Sequence, residues 1–185
     1  MEEQKLYVEI EGTRPLLMHS PAGIGVPSSG KKNTSYVPED EAAAGLYKNA
    51  SGVICVPGLC ILSMLRHAAS EHKAKGRGKK MLKGFVYSGL QVDEDMIPLS
   101  PQEWIVDARP AVVSRARIMR WRPRFDAWKL AFHITIRDPS VWNATQVRDV
   151  LTDGGKYSGL LDFRPLFGTF KVVKVEDVAS GKPIA

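Results

Sequence analysis

The amino-acid sequence predicts a single α+β domain of the ferredoxin-like kind, in which elements in the order βαββαβ form one sheet covered by helices. Three observations support this fold class. Segments 5–12 and 128–137 alternate apolar and polar residues, as half-buried strands do. Segment 59–73 carries apolar residues at the spacing of an amphipathic helix, and 142–153 follows a capping signal and precedes a glycine pair. A length of 185 residues suits one domain with an insertion.

The first half begins with the strand at 5–12, where Leu6, Val8 and Ile10 alternate with polar residues. A stretch rich in glycine, proline, serine and charge follows, and we expect a long, flexible insertion over about 20–50. The turn Pro57–Gly58 then leads into the first helix. Its apolar face carries Ile61, Leu62, Leu65, Ala68 and Ala69.

The second half is expected to contain two long strands, 103–125 and 127–137, that meet at a turn. One face of the second strand is apolar, with Trp128, Leu130, Phe132, Ile134 and Ile136. Asp138 or Ser140 could cap the helix at 142–153, which we expect to end at Gly154–Gly155 before a last strand at 167–177. RNA-recognition domains share this order of elements, so the predicted domain is also RRM-like.

Composition and charge narrow the class of partner. The net charge of +6 and the pI of about 9.4 favour an anionic partner. Cys55 and Cys60 form no CxxC pair, and we expect both thiols to be reduced and structural. The sequence shows neither a secretory signal nor an apolar run long enough to cross a bilayer. We therefore expect a cytoplasmic protein with no membrane partner.

Arginines recur along the first of the two long strands. They include Arg109, Arg115, Arg117, Arg120 and Arg122. No acidic residue lies between Asp107 and Asp126, so like charges stand close together. Guanidinium groups suit phosphate oxygens and stack on bases, which predicts a nucleic-acid surface. The alternative is a solvated strand whose arginines pair with carboxylates elsewhere in the fold.

A second basic segment is the loop at about 73–84. Glycines are interspersed among its basic residues, which are Lys73, Lys75, Arg77, Lys79, Lys80 and Lys83. Such a loop can follow a phosphodiester backbone without reading its sequence. For this segment alone, the sequence supports equally well an exposed loop whose charges are only solvated.

The third segment, 154–170, combines glycines with positive charge and rings. Lys156, Tyr157 and Arg164 lie among its glycines, with Phe163 and Phe167 beside them. Glycines allow close backbone approach, so we expect amides near phosphates and rings stacked on bases. Alternatively, the phenylalanines belong to the core and the glycine pair ends a helix.

Motifs for a cofactor, a metal or a nucleophile do not occur. The glycine-rich segment is not a GxGxxG followed by a helix and has no P-loop lysine. The histidines and cysteines lack metal-ligand spacing, and no GxSxG is present. We expect no cofactor and no structural metal, and the sequence favours binding over catalysis.

Three stretches together resemble the repeat-associated mysterious protein (RAMP) superfamily. They are TRPLLMHSP after the first strand, VPGLCILSMLRHAAS at the first helix, and GGKYSGLLDFRPLFG before the last strand. The second is the most specific, because a Pro-Gly turn leads into a helix ending in Leu65–Arg66. The resemblance implies an RNA-binding protein of CRISPR antiviral systems, similar to small backbone subunits that line up along guide RNA. It also implies a thumb-like insertion at 20–45 and an RNA path near Arg66, Lys156 and Arg164.

The same resemblance raises the question of catalysis. Some relatives cut RNA without metal, using a histidine as general base, which implies His19 here with Tyr36 or Lys31 as a helper. Others use an acidic loop residue and a metal, for which Asp40 is the nearest analogue. Such chemistry needs groups within hydrogen-bond reach, which a sequence does not show.

Three functions therefore stay open. The leading one is a single-stranded RNA binder that assembles side by side along guide RNA, with itself or other effector-complex subunits as partners. The second is a single-stranded DNA-binding or annealing protein of a phage or mobile element. The third is a metal-independent endoribonuclease that uses His19.

Overall fold

The computed structural model describes residues 3–21, 37–113 and 115–184. The strands of this part are β1 (Gln4–Gly12), β2 (Leu16–Leu17), β3 (Cys55–Pro57), β4 (Leu90–Val92), β5 (Met96–Pro98), β6 (Ile105–Val113), β7 (Ala116–Phe125), β8 (Lys129–Ile136) and β9 (Phe170–Asp177). The α-helices are α1 (Pro38–Ala44), α2 (Gly58–Ala68), α3 (Val86–Gly89) and α4 (Ala144–Asp153). The chain is an α+β protein built on antiparallel sheets.

The main sheet has four strands in the order β4-β8-β1-β9. The register places Leu6 opposite Ile134 and Val8 opposite Phe132, so the apolar positions of both central strands share one face. All four of these side chains are fully buried, and α2 and α4 contribute the buried Ile61, Leu65, Val147, Val150 and Leu151 to the same core. The alternation in 5–12 and 128–137 and the helical spacing after Pro57–Gly58 are confirmed.

The prediction of one long strand at 103–125 is wrong. The segment forms a hairpin, β6 and β7, in a separate three-stranded sheet with β2. The edge of the main sheet next to β8 is taken instead by β4, three residues long. A strand this short leaves almost no periodic signal, whereas the hairpin strands alternate over nine and ten residues.

Three further predictions need correction. The predicted loop at 20–50 contains α1, and its residues 22–36 lie outside the described residues. Neither Asp138 nor Ser140 caps α4, because the side chain of Asn143 accepts the backbone N–H of Gln146 in a capping box. The helical path does not stop at Gly154–Gly155 but continues as a π-turn over Gly154–Ser158. That turn carries Lys156 and Tyr157 to the surface.

Candidate nucleic-acid interface

Most of the strand arginines are paired with carboxylates. The nitrogen–oxygen distances are 2.6 Å for Arg109–Asp107, 3.2 Å for Arg120–Glu41, 2.6 Å for Arg122–Asp162 and 2.6 Å for Arg124–Asp126. Glu41 and Asp162 come from α1 and from the glycine-rich segment, far away in sequence. For Arg120 and Arg122 the alternative that the sequence left open, pairing with carboxylates elsewhere in the fold, describes the structure, whereas Arg109 and Arg124 pair with carboxylates two residues away.

Two of these arginines also cover the aromatic rings of the glycine-rich segment. The guanidinium carbon of Arg109 lies 4.5 Å from the ring centroid of Phe167, and that of Arg122 lies 5.0 Å from the centroid of Phe163. Both rings are half-buried and meet each other edge to face. The two phenylalanines therefore join the hairpin to this segment, and their contacts are made within the protein.

Arg115 and Arg117 differ from the other strand arginines. Both lie at the tip of the hairpin and are exposed, and Arg115 has a left-handed backbone (φ 67°). Neither of them lines any of the three clefts described below. The structure thus places neither of them in a cleft with Arg164.

The basic loop is exposed from Lys75 to Lys80, as expected for either interpretation. Arg77, although exposed, contacts the rest of the fold. Its guanidinium donates to the hydroxyl of Ser140 at 2.9 Å and lies 6.0 Å from the ring centroid of Phe85. The loop thereby contacts Ser140, which lies just before α4.

A first cleft, of about 440 Å³, lies between α2 and the glycine-rich segment. Its lining brings together Arg66, Tyr157 and Arg164, which the sequence analysis had named from two separate segments. The other lining residues are Ser63, His67, Ser70, Lys83, Ser158 and Pro165, so the lining holds no carboxylate. Among the described ion pairs, none involves Arg66, Lys83 or Arg164.

A second cleft, of about 620 Å³, continues from the first and shares Tyr157 and Pro165 with it. Its cationic lining residues are Arg14, Lys156 and Lys171. It too has no acidic lining residue, although Lys171 reaches Glu11 at 2.7 Å beyond the lining. The two clefts form one basic surface that passes over the π-turn.

Arg14 and Lys171 were missed as site residues by sequence analysis. Arg14 is part of the TRPLLMHSP stretch that supports the resemblance. Its position in that stretch could have identified it as a candidate site residue. Lys171 is an ordinary exposed position of a strand, and its sequence neighbours give no such signal.

The glycines of this segment serve packing rather than close approach of a ligand. A Cβ on Gly154 would overlap Met64, and one on Gly155 would meet the carbonyl oxygen and ring of Phe170. The amides of Leu160 and Gly168 donate within the fold, to the carbonyls of Gly168 and Pro15. These two amides therefore donate to carbonyl groups of the protein and do not form the phosphate site that the sequence predicted.

A third cleft, of about 250 Å³, contains His19 together with Tyr47, Cys60 and Asp162. It shares Ser63 and Arg164 with the first cleft. The Nδ1 of His19 lies 3.9 Å from Oδ2 of Asp162. Burial, and then the positive charge of Arg122, lower the pKa of His19, while Asp162 opposes the shift.

Of the other candidates for catalysis, only Asp40 belongs to the part of the chain that the structure describes. Tyr36 and Lys31 lie outside the described residues. Asp40 is exposed on α1 and does not line the third cleft. Cys55 is buried and Cys60 is half-buried, both as free thiols, and burial raises the pKa of each.

Among the described residues, no group of three or more histidine, cysteine or acidic side chains could hold a metal ion. No helix within the described ranges is long and apolar enough to span a membrane.

Comparison with known proteins gives a likeness at the level of structure. No protein-family model matches the sequence, and no curated protein matches it. The chain is similar to a chain in the cryo-EM structure of the Type III-B Cmr-beta bound to cognate target RNA, with a TM-score of 0.59 and 11% identity. The likeness is one of fold. It covers 95% of this chain and 61% of the other, so this chain spans less than two thirds of its neighbour's length.

Proposed function

We propose that this protein binds single-stranded RNA along the first and second clefts. The observation that carries the proposal is the lining of the first cleft, where Arg66, Lys83 and Arg164 converge without a carboxylate among the lining residues. A cation with a carboxylate partner must give it up to bind phosphate, whereas these three already face the cleft. Lys156 and Arg14 extend the same charge into the second cleft.

The proposal includes one ferredoxin-like, RRM-like domain over residues 1–185, with a RAMP-like insertion at about 20–50 and the basic loop at 73–84. The strand order β4-β8-β1-β9, with α2 after β1 and α4 after β8, supports this assignment. In it, β4 is the second strand of the motif and the β6–β7 hairpin is an addition between the second and third strands.

We assign the RNA-binding role to a CRISPR effector complex, in which copies of the chain line up along guide RNA or join other subunits. The likeness in fold to a chain of the Cmr-beta structure, which is bound to target RNA, supports this assignment. A test is the stoichiometry on RNAs of increasing length, because side-by-side assembly adds one copy for each fixed increment of length.

RNA binding itself is tested by titrating labelled oligouridylate of roughly twelve nucleotides, a length within the range of known single-strand sites. Affinity should fall steeply between about 50 and 200 mM salt, with a log–log slope of about 0.7 per phosphate contact. Binding that is absent or independent of salt contradicts the proposal. A preference for DNA of the same length would transfer the assignment to a single-stranded DNA-binding protein.

Single substitutions locate the binding surface. Arg66→Ala and Arg164→Ala should each weaken RNA binding and lower the salt slope by about 0.7, because each removes one phosphate contact. Arg137→Ala is the matched control, since Arg137 lies outside both clefts and within 4.0 Å of Glu3. Equal losses in all three variants would show that only the net charge matters.

A second candidate function, metal-independent cleavage of RNA, is favoured by the third cleft. A lowered pKa keeps His19 neutral at neutral pH, so it can accept the proton of a ribose 2′-hydroxyl. The 2′-oxygen then attacks the adjacent phosphorus, the bond to the 5′-oxygen breaks, and the leaving oxygen takes a proton from water. Arg164, in the same cleft, would stabilise the negative charge on the non-bridging phosphate oxygens.

The cleavage reaction has distinctive products, a 2′,3′-cyclic phosphate and a 5′-hydroxyl. We expect them to form from guide-like RNA in EDTA with the native protein and to disappear with His19→Ala. His133→Ala is the matched histidine control, because His133 lines none of the three clefts. Intact RNA after prolonged incubation with the native protein would exclude this candidate and leave the binding proposal untouched.

A further inference from the structure

Two exposed tyrosines are associated with the first cleft: Tyr157 lines it, and Tyr87 contacts the lining residue Arg66. Tyr157 is 63% exposed and Tyr87 is 54% exposed. The ammonium of Lys156 lies 4.9 Å from the ring centroid of Tyr157, and the guanidinium carbon of Arg66 lies 5.6 Å from that of Tyr87. Tyr7 and Tyr47, by contrast, are half-buried and donate hydrogen bonds to Glu9 and to the His19 carbonyl. Among the described tyrosines, only Tyr87 and Tyr157 leave most of their surface in water.

The chain positions the two rings on different elements. Tyr157 lies on the π-turn and lines the cleft directly. Tyr87 lies on α3, just after the 3₁₀ turn that carries Lys83, and its partner Arg66 lines the cleft. Ser63, Ser70 and Ser158 also line the first cleft.

We propose that the first cleft binds two unpaired nucleotides, with one base stacked on Tyr87 and the other on Tyr157. Arg66 and Arg164 hold the phosphates of this dinucleotide. The inference rests on the proposed RNA binding and adds Tyr87 as a base-stacking residue. It also explains why rings of this size stay exposed, since burying an aromatic side chain normally stabilises a fold.

Selectivity for strand form follows from this arrangement. The faces of bases in a duplex are covered by their neighbours, so stacking on the tyrosines requires unpaired bases. Every base offers a flat face, so the cleft tolerates any sequence. We therefore expect duplex RNA to bind only through its backbone charge and to lose the contribution of both rings.

The test compares oligouridylate with a strand of the same length in which the bases are replaced by abasic ribose. Tyr87→Ala and Tyr157→Ala should each weaken binding of oligouridylate by about 5- to 150-fold, the measured range for loss of one stacked base. The salt slope should stay unchanged, because stacking releases no counterions. Tyr87→Phe and Tyr157→Phe keep the ring and should bind like the native protein.

The abasic strand separates stacking from charge. The native protein and both alanine variants should bind it with equal affinity, and the native protein should bind it more weakly than oligouridylate. Equal native affinity for the two strands overturns the inference, as does an alanine effect of the same size on both. If the native protein shows no salt-dependent binding to either strand, the proposed function fails and this inference fails with it.

Discussion

Arg122 and Arg164 carry the same guanidinium group, yet the fold gives them opposite roles. The side chain of Arg122 is 8% exposed, with its Nε 2.6 Å from Asp162 and Phe163 beneath it. Arg164 is exposed and lines two clefts. A buried guanidinium cannot exchange its carboxylate for a phosphate without leaving a buried charge unpaired. Arg122 is therefore part of the framework, and Arg164 belongs to the candidate RNA surface.

Replacing Arg122 by alanine should lower the free energy of unfolding by about 3 kcal/mol, the low end for breaking a buried ion pair, because Asp162 is 30% exposed. The substitution also removes the cation from the ring of Phe163. Urea denaturation followed by circular dichroism measures this change.

The matched control for Arg122→Ala is Arg148→Ala. Arg148 pairs only with its neighbour Asp149 in the described structure, at 2.6 Å, and the two side chains are 29% and 47% exposed. Exposed pairs contribute about 0–1 kcal/mol, so this variant should unfold at nearly the native urea concentration. Equal losses of stability for the two variants would contradict the framework role of Arg122.

At the scale of elements, the segment from the π-turn to β9 is held by backbone packing. Gly159 and Gly168 both have left-handed φ angles, 71° and 73°. The carbonyl oxygen of Leu160 leaves no space for a Cβ on Gly168. The segment therefore keeps Arg164 and Tyr157 in place through contacts that only glycine allows.

Two glycines with the same φ separate backbone strain from overlap. Gly76, in the basic loop, also has φ 73°, but a Cβ there would meet nothing within 4 Å. Gly76→Ala should cost about 1–2 kcal/mol for the left-handed backbone alone. Gly168→Ala should cost about 1–3 kcal/mol more, because the added carbon overlaps the backbone. Thermal and urea unfolding measure both variants, and equal costs would contradict the packing role of Gly168.

The elements that sequence alone predicted are those with a sustained period. The alternation of β1 and β8 and the helical face of α2 identified buried positions such as Val8, Phe132 and Leu65. The short β4 carries no such period, so the hairpin strand rich in arginine was placed in the main sheet instead. Periodicity indicates that a segment is a strand, but only tertiary contacts decide which sheet it joins.

The candidate site was predictable only in part, for the same reason. Arg66, Tyr157 and Arg164 were named from the sequence, and they line one cleft. Arg120 and Arg122 were also named, yet Glu41 and Asp162 pair with them across 79 and 40 residues of chain. The sequence gives the number of charged residues. Which carboxylate pairs with a given arginine depends on residues that folding brings close to it.

At the scale of the whole molecule, stability and the proposed binding depend on different forces. The largest fully buried side chains are apolar, including Trp128, Trp142, Phe125 and Phe132. The lysines on the main sheet pair at its surface, as in Lys5–Asp93 at 2.7 Å and Lys174–Glu176 at 2.9 Å. Burial of apolar surface changes little with moderate salt, while contacts with phosphates are screened strongly.

Moderate salt should therefore abolish RNA binding without unfolding the protein. Raising salt from about 50 to 500 mM should weaken the affinity for oligouridylate by several orders of magnitude, because counterions compete for the phosphates. The urea midpoint should shift by less than the equivalent of about 1 kcal/mol, since exposed ion pairs contribute little. Anisotropy titrations and urea denaturation at matched salt concentrations measure the two effects. If the urea midpoint falls in parallel with affinity, the basic clefts are stabilised by charge pairing that salt disrupts, and the separation of binding surface from framework is wrong.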